Sequence, residues 1–461
     1  MLPLTVNAQV VDCTGQDHNA YPSITSALAV ATPNSVIAIE AGPCNENVSL
    51  QSQQGLYLGA FWGQSVAING GINVQSSQSL FLYGLNVTNP SGNGIVVSGS
   101  RNFTLENCSS SGNSGIGLQV QGLSEVYIAS NGAFNNNTGG GIRLTDNSFL
   151  QLVAWGGPID ISYNTGSGLY AERSTFTGVG NTTISNTVSG WGIDLRGGAT
   201  ASMGPVFGAN LIQNNPMGGV SLQEGAEISF WNFGGPLNTI QSNGPFGVKA
   251  GFGSQVTFYD GNQITDHTGP GVDIYANSQV YLWGHNQVSR NGTSTDPLSA
   301  GIRIDGNSEL FMRSGDVSQN NGPAMLALVN SSLDFTGVNF SGNTGGIVTC
   351  DSTATMISDL AQPNLTPAAG VRCRIPHMLG NRRFLDSRPS IPDVSRLKAM
   401  EAKYKQLLLL LLLLLLLLRN SCRRLKGNEF ETHCFGFGPK FDFLPFLMAQ
   451  LVSSKAAVVE F

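Results

Sequence analysis

Asp273, Arg303 and Asp305 place two carboxylates and a guanidinium in a chain with only 11% charged residues. Two carboxylates held about 6.5–9.5 Å apart can serve as acid and base across a glycosidic bond, with a water between them. A guanidinium beside them can orient one carboxylate or hold a uronate. Asp273 and Arg303 are 30 residues apart, so this chemistry needs a backbone that returns to the same place after that interval.

The chain has such a return. A phrase of Gly, aliphatic, any residue, aliphatic recurs at Gly71, Gly94, Gly115, Gly141, Gly168, Gly192, Gly219, Gly247, Gly271 and Gly301, and continues at Ala324 and Gly346. From Gly71 to Gly346 there are 11 steps of 25 residues on average. A turn follows each phrase, as at Asp146, Ala276, Gly306 and Val329, and then an alternating segment such as that from Gln279 or Glu309. A third short apolar segment ends on Asn. Alternation of apolar and polar residues indicates strands. Strands this short cannot bury an apolar face alone, so the units must stack as coils, with like strands pairing in parallel every ~4.8 Å. The corner Asn would stack on its neighbours and bond the turn backbone. The Gly before the first strand is expected to supply a positive φ. A β-sandwich with Gly-rich turns would show no such fixed phase.

If the first strand alternates in and out, its outward residues lie two places after each Gly. They read Asn73, Val96, Gly117, Arg143, Tyr170, Asp194, Ser221, Lys249, Asp273, Arg303, Leu326 and Val348. Four places after the Gly lie Thr145, Arg196, Gln223, Tyr275 and Asp305. Asp273 and Asp305 then stand one rung and two residues apart, about 8 Å. They are the candidate catalytic pair, with Arg303 between them. Asp194 is three rungs from Asp273, about 14 Å, too far to pair with it. Arg143, Tyr170, Asp194, Lys249 and Tyr275 are the candidate substrate contacts. A flat polar strip with aromatic rings suits a long carbohydrate, rings against sugar faces and charges against hydroxyls. Alternating signs at Lys249, Asp273 and Arg303 would equally stabilise a sheet by ~0.2–1 kcal/mol per pair.

Composition agrees with a stacked all-β chain. Gly numbers 58 of 461 residues without a three-residue period, which excludes collagen, and the low charge excludes a coiled coil. A hydrophobic share of 41% is enough for a core, and a net charge of −6 argues against nucleic-acid partners. Residues 1–378 carry 10 basic and 22 acidic side chains, residues 379–461 carry 13 and 7, and only 4 of the glycines fall in the second part. Three regions are expected: 1–12, the remnant of a signal peptide cleaved after Ala8 plus a first strand; 13–378, the stacked coils with their caps; and 379–461, a disordered low-complexity tail. In that tail Ser395–Gln406 reads as a short helix, followed by twelve leucines, Leu407–Leu418. Twelve helical residues span about 18 Å, short of the ~30 Å hydrocarbon core, so no membrane anchor is expected.

Cys13 and Cys44 fall together before the repeats, Cys350 and Cys373 together after them, and disulfides Cys13–Cys44 and Cys350–Cys373 would suit an exported protein. Cys108 reads as a lone buried thiol. No metal motif and no cofactor motif is present in the sequence.

A stack of coils needs a cap over its first rung. Ala20–Thr32 reads as a short amphipathic helix, and the run from Ser35 as strand, turn and strand. Asp12, Gly15, Tyr21, Ile24, Leu28, Val36, Ile37, Ile39, Gly42, Glu46, Asn47 and Val48 together resemble the entry segment of pectin-lyase-like right-handed β-helix proteins. That segment reads D-x-x-G, a short helix, then V-I-x-I-x-x-G-x-Y-x-E-N-V, with Cys44 here in place of the aromatic. The resemblance covers residues 10–350. It implies an all-β right-handed parallel β-helix of about 12 coils with a short N-terminal capping helix.

The family includes lyases, hydrolases, esterases, epimerases, tailspikes and noncatalytic surface proteins. Its polygalacturonase motifs are not matched: there is no D-D, and Gly284-His285 is followed by Asn286. Asp266 and His267 resemble part of a pectate-lyase W-x-D-H, but fall where other coils place the corner Asn. The expectation is therefore a secreted or cell-surface protein that binds a polysaccharide or cell-surface glycan along strand one. The alternatives are a lyase or hydrolase of uronate-containing glycans, or a structural adhesin module.

Overall fold

The computed structural model describes residues 8–358, apart from 62, 155, 233–235 and 294–298. The expected tail at 379–461, Cys373 and residues 1–7 of the expected leader lie outside the described residues. Among the described residues no helix is long and apolar enough to cross a membrane.

Three short strands per coil stack in parallel. The first face is a sheet of 13 strands, running from Val48–Gln51 through Val272–Ile274 and Ile302–Ile304 to Val348–Cys350. One more rung is present than the twelve phrases suggest, because Val48–Gln51 follows Asn47 and so does not match the phrase. The second face carries Gln255–Tyr259, Gln279–Trp283 and Glu309–Ser318 in register, and the third carries Asn210–Gln213, Asn238–Gln241 and Gln263–Thr265. The inward residues of the first face, such as Ile193, Leu195, Val220, Leu222, Val272 and Ile274, are fully buried. They join those of the other faces in one continuous core. Phe230 and Phe258 stack within it at 5.0 Å.

The corner entering the first face holds the expected ladder. The backbone N–H of Thr187 donates to Asn215 Oδ1, that of Asn215 to Asn243 Oδ1, that of Asn291 to Asn320 Oδ1 and that of Asn320 to Asn343 Oδ1, at 3.0–3.2 Å. Each amide then turns inward: Asn215 Nδ2 donates to the carbonyl of Ile184, and Asn243 Nδ2 to that of Ile212. The reason for the repeated Gly differs from expectation. Gly192, Gly219 and Gly271 are not among the residues with positive φ. A Cβ on Gly192 would instead lie 2.7 Å from the Gly219 carbonyl oxygen, 2.7 Å from Ile212 Cγ2 and 2.8 Å from Asn215 Nδ2. The glycine is needed because the ladder amide and the next rung close over it. Positive φ belongs to the following turn, where two consecutive residues are left-handed: Asp146 and Asn147, Glu224 and Gly225, Ala276 and Asn277, Val329 and Asn330. The second of each pair is Asn or Gly, the residues that tolerate this conformation best.

The capping helix is confined to Ile24–Leu28, shorter than the Ala20–Thr32 expected. Ser23 caps it, exchanging hydrogen bonds with Ser26, and the Glu46 carboxylate accepts from the N–H groups of Ile24 and Thr25. Asn47 Oδ1 accepts from the N–H of Gly71, which starts the first face. The Cys13–Cys44 disulfide ties the cap together. Cys350 is also disulfide-bonded, and Cys108 is a buried free thiol that burial pushes up to about 12.

Candidate functional site

Register fixes the outward column of the first face as Ser49, Asn73, Val96, Gln119, Arg143, Tyr170, Asp194, Ser221, Lys249, Asp273, Arg303, Leu326 and Thr349. Two expected members are corrected. Leu118 pairs with Ile95 and Ile142, so Gly117 takes the motif place and Gln119 points out. Val348 pairs with Met325 and points in, leaving Thr349 outside. Gly115 matches the phrase two residues ahead of the true motif place and Gly346 one residue ahead, because pairing across coils and not the phrase itself sets the register.

The lower part of this face is neutral. Asn47, Ser49, Asn73, Asn89, Asn93 and Val96 line a depression of about 450 Å³, and Asn93 Nδ2 donates to Gln119 Oε1. The upper part gathers the charges into two clusters. In the first, the Tyr170 ring has the Arg143 guanidinium at 5.1 Å and that of Arg196 at 5.9 Å. The Tyr170 hydroxyl donates to Glu172 Oε2 at 3.0 Å, and Arg196 donates through Nε and Nη2 to the buried Asp194 carboxylate. Arg143, Tyr170 and Arg196 line a second depression of about 280 Å³. Burial pushes the Tyr170 hydroxyl above its ordinary pKa.

In the second cluster Arg303 grips Asp273 bidentately, Nε to Oδ1 at 2.6 Å and Nη2 to Oδ2 at 2.9 Å. Asp273 is 0% exposed, and burial raises its carboxyl against the opposing pull of Arg303 and Lys249. Asp305 follows two places after Arg303, half-buried, with its backbone N–H bonded to the Ile274 carbonyl. Its charge adds to the rise at Asp273. Lys249 Nζ lies 4.4 Å from the Phe246 ring centre and 5.2 Å from that of Tyr275. Phe246 stacks on Trp191 at 6.1 Å, and Tyr275 meets Phe252 edge-on at 5.4 Å. The result is an aromatic strip that crosses the face from one edge to the other.

Glycines make room for this strip. A Cβ on Gly218 would meet Trp191 Cζ3 at 2.1 Å, and one on Gly251 would meet Tyr275 Cζ at 2.2 Å. Trp191, Gly218 and Phe246 occupy one column on successive rungs, immediately before the motif Gly. That spacing is readable in the sequence, and so is Glu172, four places after Gly168 and in the same column as Arg196 and Tyr275.

Arg143, Tyr170 and Asp194 therefore share one cluster, while Lys249, Asp273, Tyr275 and Arg303 share the other, with Asp305 beside it. His267 stands in the corner ladder, as its position suggested. It accepts at Nδ1 from the Asn243 N–H, and its Nε2 faces the Ile240 carbonyl. Burial pushes its pKa down to about 4. Asp266 does not join the ladder; it turns outward to pair with Arg290 at 2.7 Å. His285 is exposed and pairs with Asp260, away from the first face.

Residues 236–361 match the family model described as "Right handed beta helix region". The fold is an all-β right-handed parallel β-helix. No curated protein matches it. Two solved structures resemble the β-helix. One is the Azotobacter vinelandii mannuronan C-5 epimerase AlgE6 A-module, 14% identical, covering 75% of this chain and 92% of that one, with a TM-score of 0.36. The other is pectate lyase Pel9A, 13% identical, covering 74% of this chain and 82% of that one, with a TM-score of 0.29.

Proposed function

We propose that the β-helix binds a polysaccharide along its first face, without catalysing a reaction on it, in a secreted or cell-surface setting. The observation that carries this reading is the pair of cation–aromatic clusters on one flat sheet face, around Tyr170 and around Lys249 and Tyr275. Rungs spaced ~4.8 Å apart give such a face the reach of an extended chain. The disulfides at Cys13–Cys44 and Cys350 favour an oxidising compartment. The test is retention of the full-length protein on a panel of immobilised polysaccharides. Tyr170→Ala and Tyr275→Ala should each weaken binding about fivefold, the effect of losing ~1 kcal/mol of aromatic contact. Retention on no polysaccharide would leave a purely structural surface module as the reading.

Catalysis by Asp273 and Asp305, with Arg303 orienting them, is the competing proposal. The raised carboxyl of Asp273 favours it, since perturbed acids cluster at active sites. The bidentate grip of Arg303 and the absence of exposure at Asp273 weigh against it, because an acid or base needs an accessible lone pair. A uronate panel assayed for reducing ends and unsaturated products should show no turnover. Turnover abolished by Asp273→Asn would establish catalysis instead.

A further inference from the structure

The corner ladder is built from Asn and one Thr, and His267 is its one titratable member among the described residues. The ring copies both bonds of the amide it replaces. Nδ1 accepts from the Asn243 N–H at 3.1 Å, and Nε2 faces the Ile240 carbonyl at 3.1 Å, so the proton of the neutral ring sits on Nε2. A second proton has only Nδ1 to occupy, and there it meets the Asn243 N–H, donor against donor. An Asn amide in the same place carries no such proton.

The ring has no room to turn away. It is 2% exposed, and a Cβ on Gly247 would lie 2.5 Å from its Nε2 and 2.6 Å from its Cδ2. The ladder is already interrupted here. Asn215 Nδ2 donates to Asn243 Oδ1 and Asn291 Nδ2 to Asn320 Oδ1, whereas Asn243 Nδ2 bonds only the Ile212 carbonyl among the described residues. The corner that meets the ring, residues 243–247, ends on Phe246 and leads directly into Val248–Ala250. Phe246 stacks on Trp191 and carries Lys249 against its ring. The charged groups around His267 do not compete for its proton. Asp266 beside it and Arg290 on the coil above pair with each other, and Arg290 holds the Asp266 carboxyl below its ordinary range. Lys249 and Asp273, on the strands that follow the two corners, point out of the first face. Residues 243–247 carry no charge.

We propose that His267 makes the corner at residues 243–247 an acid-opened hinge. Protonation breaks the Asn243 bond, the corner lifts from the imidazole, and Phe246 leaves the Trp191 ring while the other coils stay paired. Where the first-face reading above holds, acid thereby withdraws one end of the aromatic strip and releases a bound polysaccharide.

The test is amide hydrogen exchange of the full-length protein followed by mass spectrometry, corrected for the intrinsic effect of pH. An opened corner frees the ring to its ordinary value of 6.5, against about 4 when closed. Protection of residues 243–250 should therefore fall about a hundredfold between pH 7 and pH 4, near tenfold per unit below 6.5. Ile72–Gln75 and Ile95–Ser98, several coils below, should keep theirs. His267→Asn should abolish the fall. Protection that holds to pH 4, an equal loss in every coil, or the same loss in His267→Asn would each overturn the hinge. The first two are read on the natural protein and so do not depend on the variant folding. Retention on the polysaccharide panel should drop at pH 4 in the natural protein and persist in His267→Asn. If the corner opens and retention persists in both, the hinge stands and its link to the first face falls. If nothing is retained at any pH, the first-face reading falls while the exchange result still decides the hinge.

Discussion

Asn243 and Lys249 lie six residues apart on one coil, and their surroundings follow opposite rules. Asn243 repeats the residue and the bonds of Asn215 below it, and most of its neighbours up the corner do the same. Each member is satisfied by a copy of itself, so the column extends by repetition. Lys249 stands in a column where Tyr170, Asp194, Ser221, Asp273 and Arg303 all differ, and where contacts run sideways between unlike side chains. A position that repeats takes its environment from the fold. A position that varies while neighbouring columns repeat is free to take its requirements from outside the fold.

The largest effects should come from breaking the repeated column. Gly192→Ala puts a methyl within 2.7–2.8 Å of the Gly219 carbonyl, Ile212 and Asn215 Nδ2. None of these is the loose end of a long side chain, so the cost should reach about 4 kcal/mol or more. Asn215→Ala removes the partner of the Thr187 N–H and the side-chain donor to the Ile184 carbonyl and should cost about 2–6 kcal/mol at roughly 1–3 kcal/mol per buried orphan. Urea denaturation curves would check both. A shift within experimental error for Asn215→Ala would mean that the ladder is ornamental and the comparison false.

His267 tests the same column through pH. Its folded pKa, about 4, lies below the ordinary 6.5, because burial opposes the charged ring and its Nδ1 already accepts from Asn243. The unfolded chain therefore takes up a proton between pH 6.5 and 4 while the folded one does not. Stability is full above pH 6.5 and falls as the pH drops toward 4, by about 3 kcal/mol at ~1.4 kcal/mol per unit. His267→Asn restores the ladder residue and should flatten that part of the pH–stability curve. A slope that survives the substitution would assign it to a group other than His267.

This contrast also sets what the sequence could reveal. The ladder, the stacked strands and the capping segment are legible because they repeat or follow a motif, and repetition is visible without coordinates. The rung assignments of Gly115 and Gly346 misled by local likeness, since register is decided by pairing across coils rather than by the phrase itself. The role of the motif Gly was hidden for a related reason: the atoms that exclude a Cβ at Gly192 belong to Ile212, Asn215 and Gly219, one coil away. On the outer face the participating residue types were readable, but their partnerships were not. Which carboxylate Arg303 takes depends on side-chain directions that alternation alone does not specify.

Smaller effects are expected where the variable column is altered. Arg143→Gln removes a guanidinium that rests on the Tyr170 ring, at a depression on the face. Stability should change by no more than about 0.5 kcal/mol, the usual range for surface substitutions. Polysaccharide binding should weaken about threefold to tenfold, from loss of ~1 kcal/mol of cation contact. Equal loss of stability and binding would make Arg143 part of the scaffold and blur the distinction drawn here.

The smallest effect lies between the two extremes, at a position that the fold constrains in conformation but not in identity. Asp146, Glu224, Ala276, Gly306 and Val329 are the first left-handed residues of the same turn on different coils, so the place accepts almost any side chain. Val329 is the least suited, a β-branched residue at φ 42° with half its surface exposed. Left-handed backbone costs an ordinary residue about 1–2 kcal/mol, and Asn escapes part of that cost through its short polar side chain. Val329→Asn should therefore stabilise the coil by about 0.5–1 kcal/mol, read as a small rise in Tm. A fall in Tm would show that the Val329 methyls pack on the coil above, next to the Asp351 carboxylate that accepts its N–H. The turn would then belong with the repeated column, where the neighbour dictates the residue, and not with the face that varies freely.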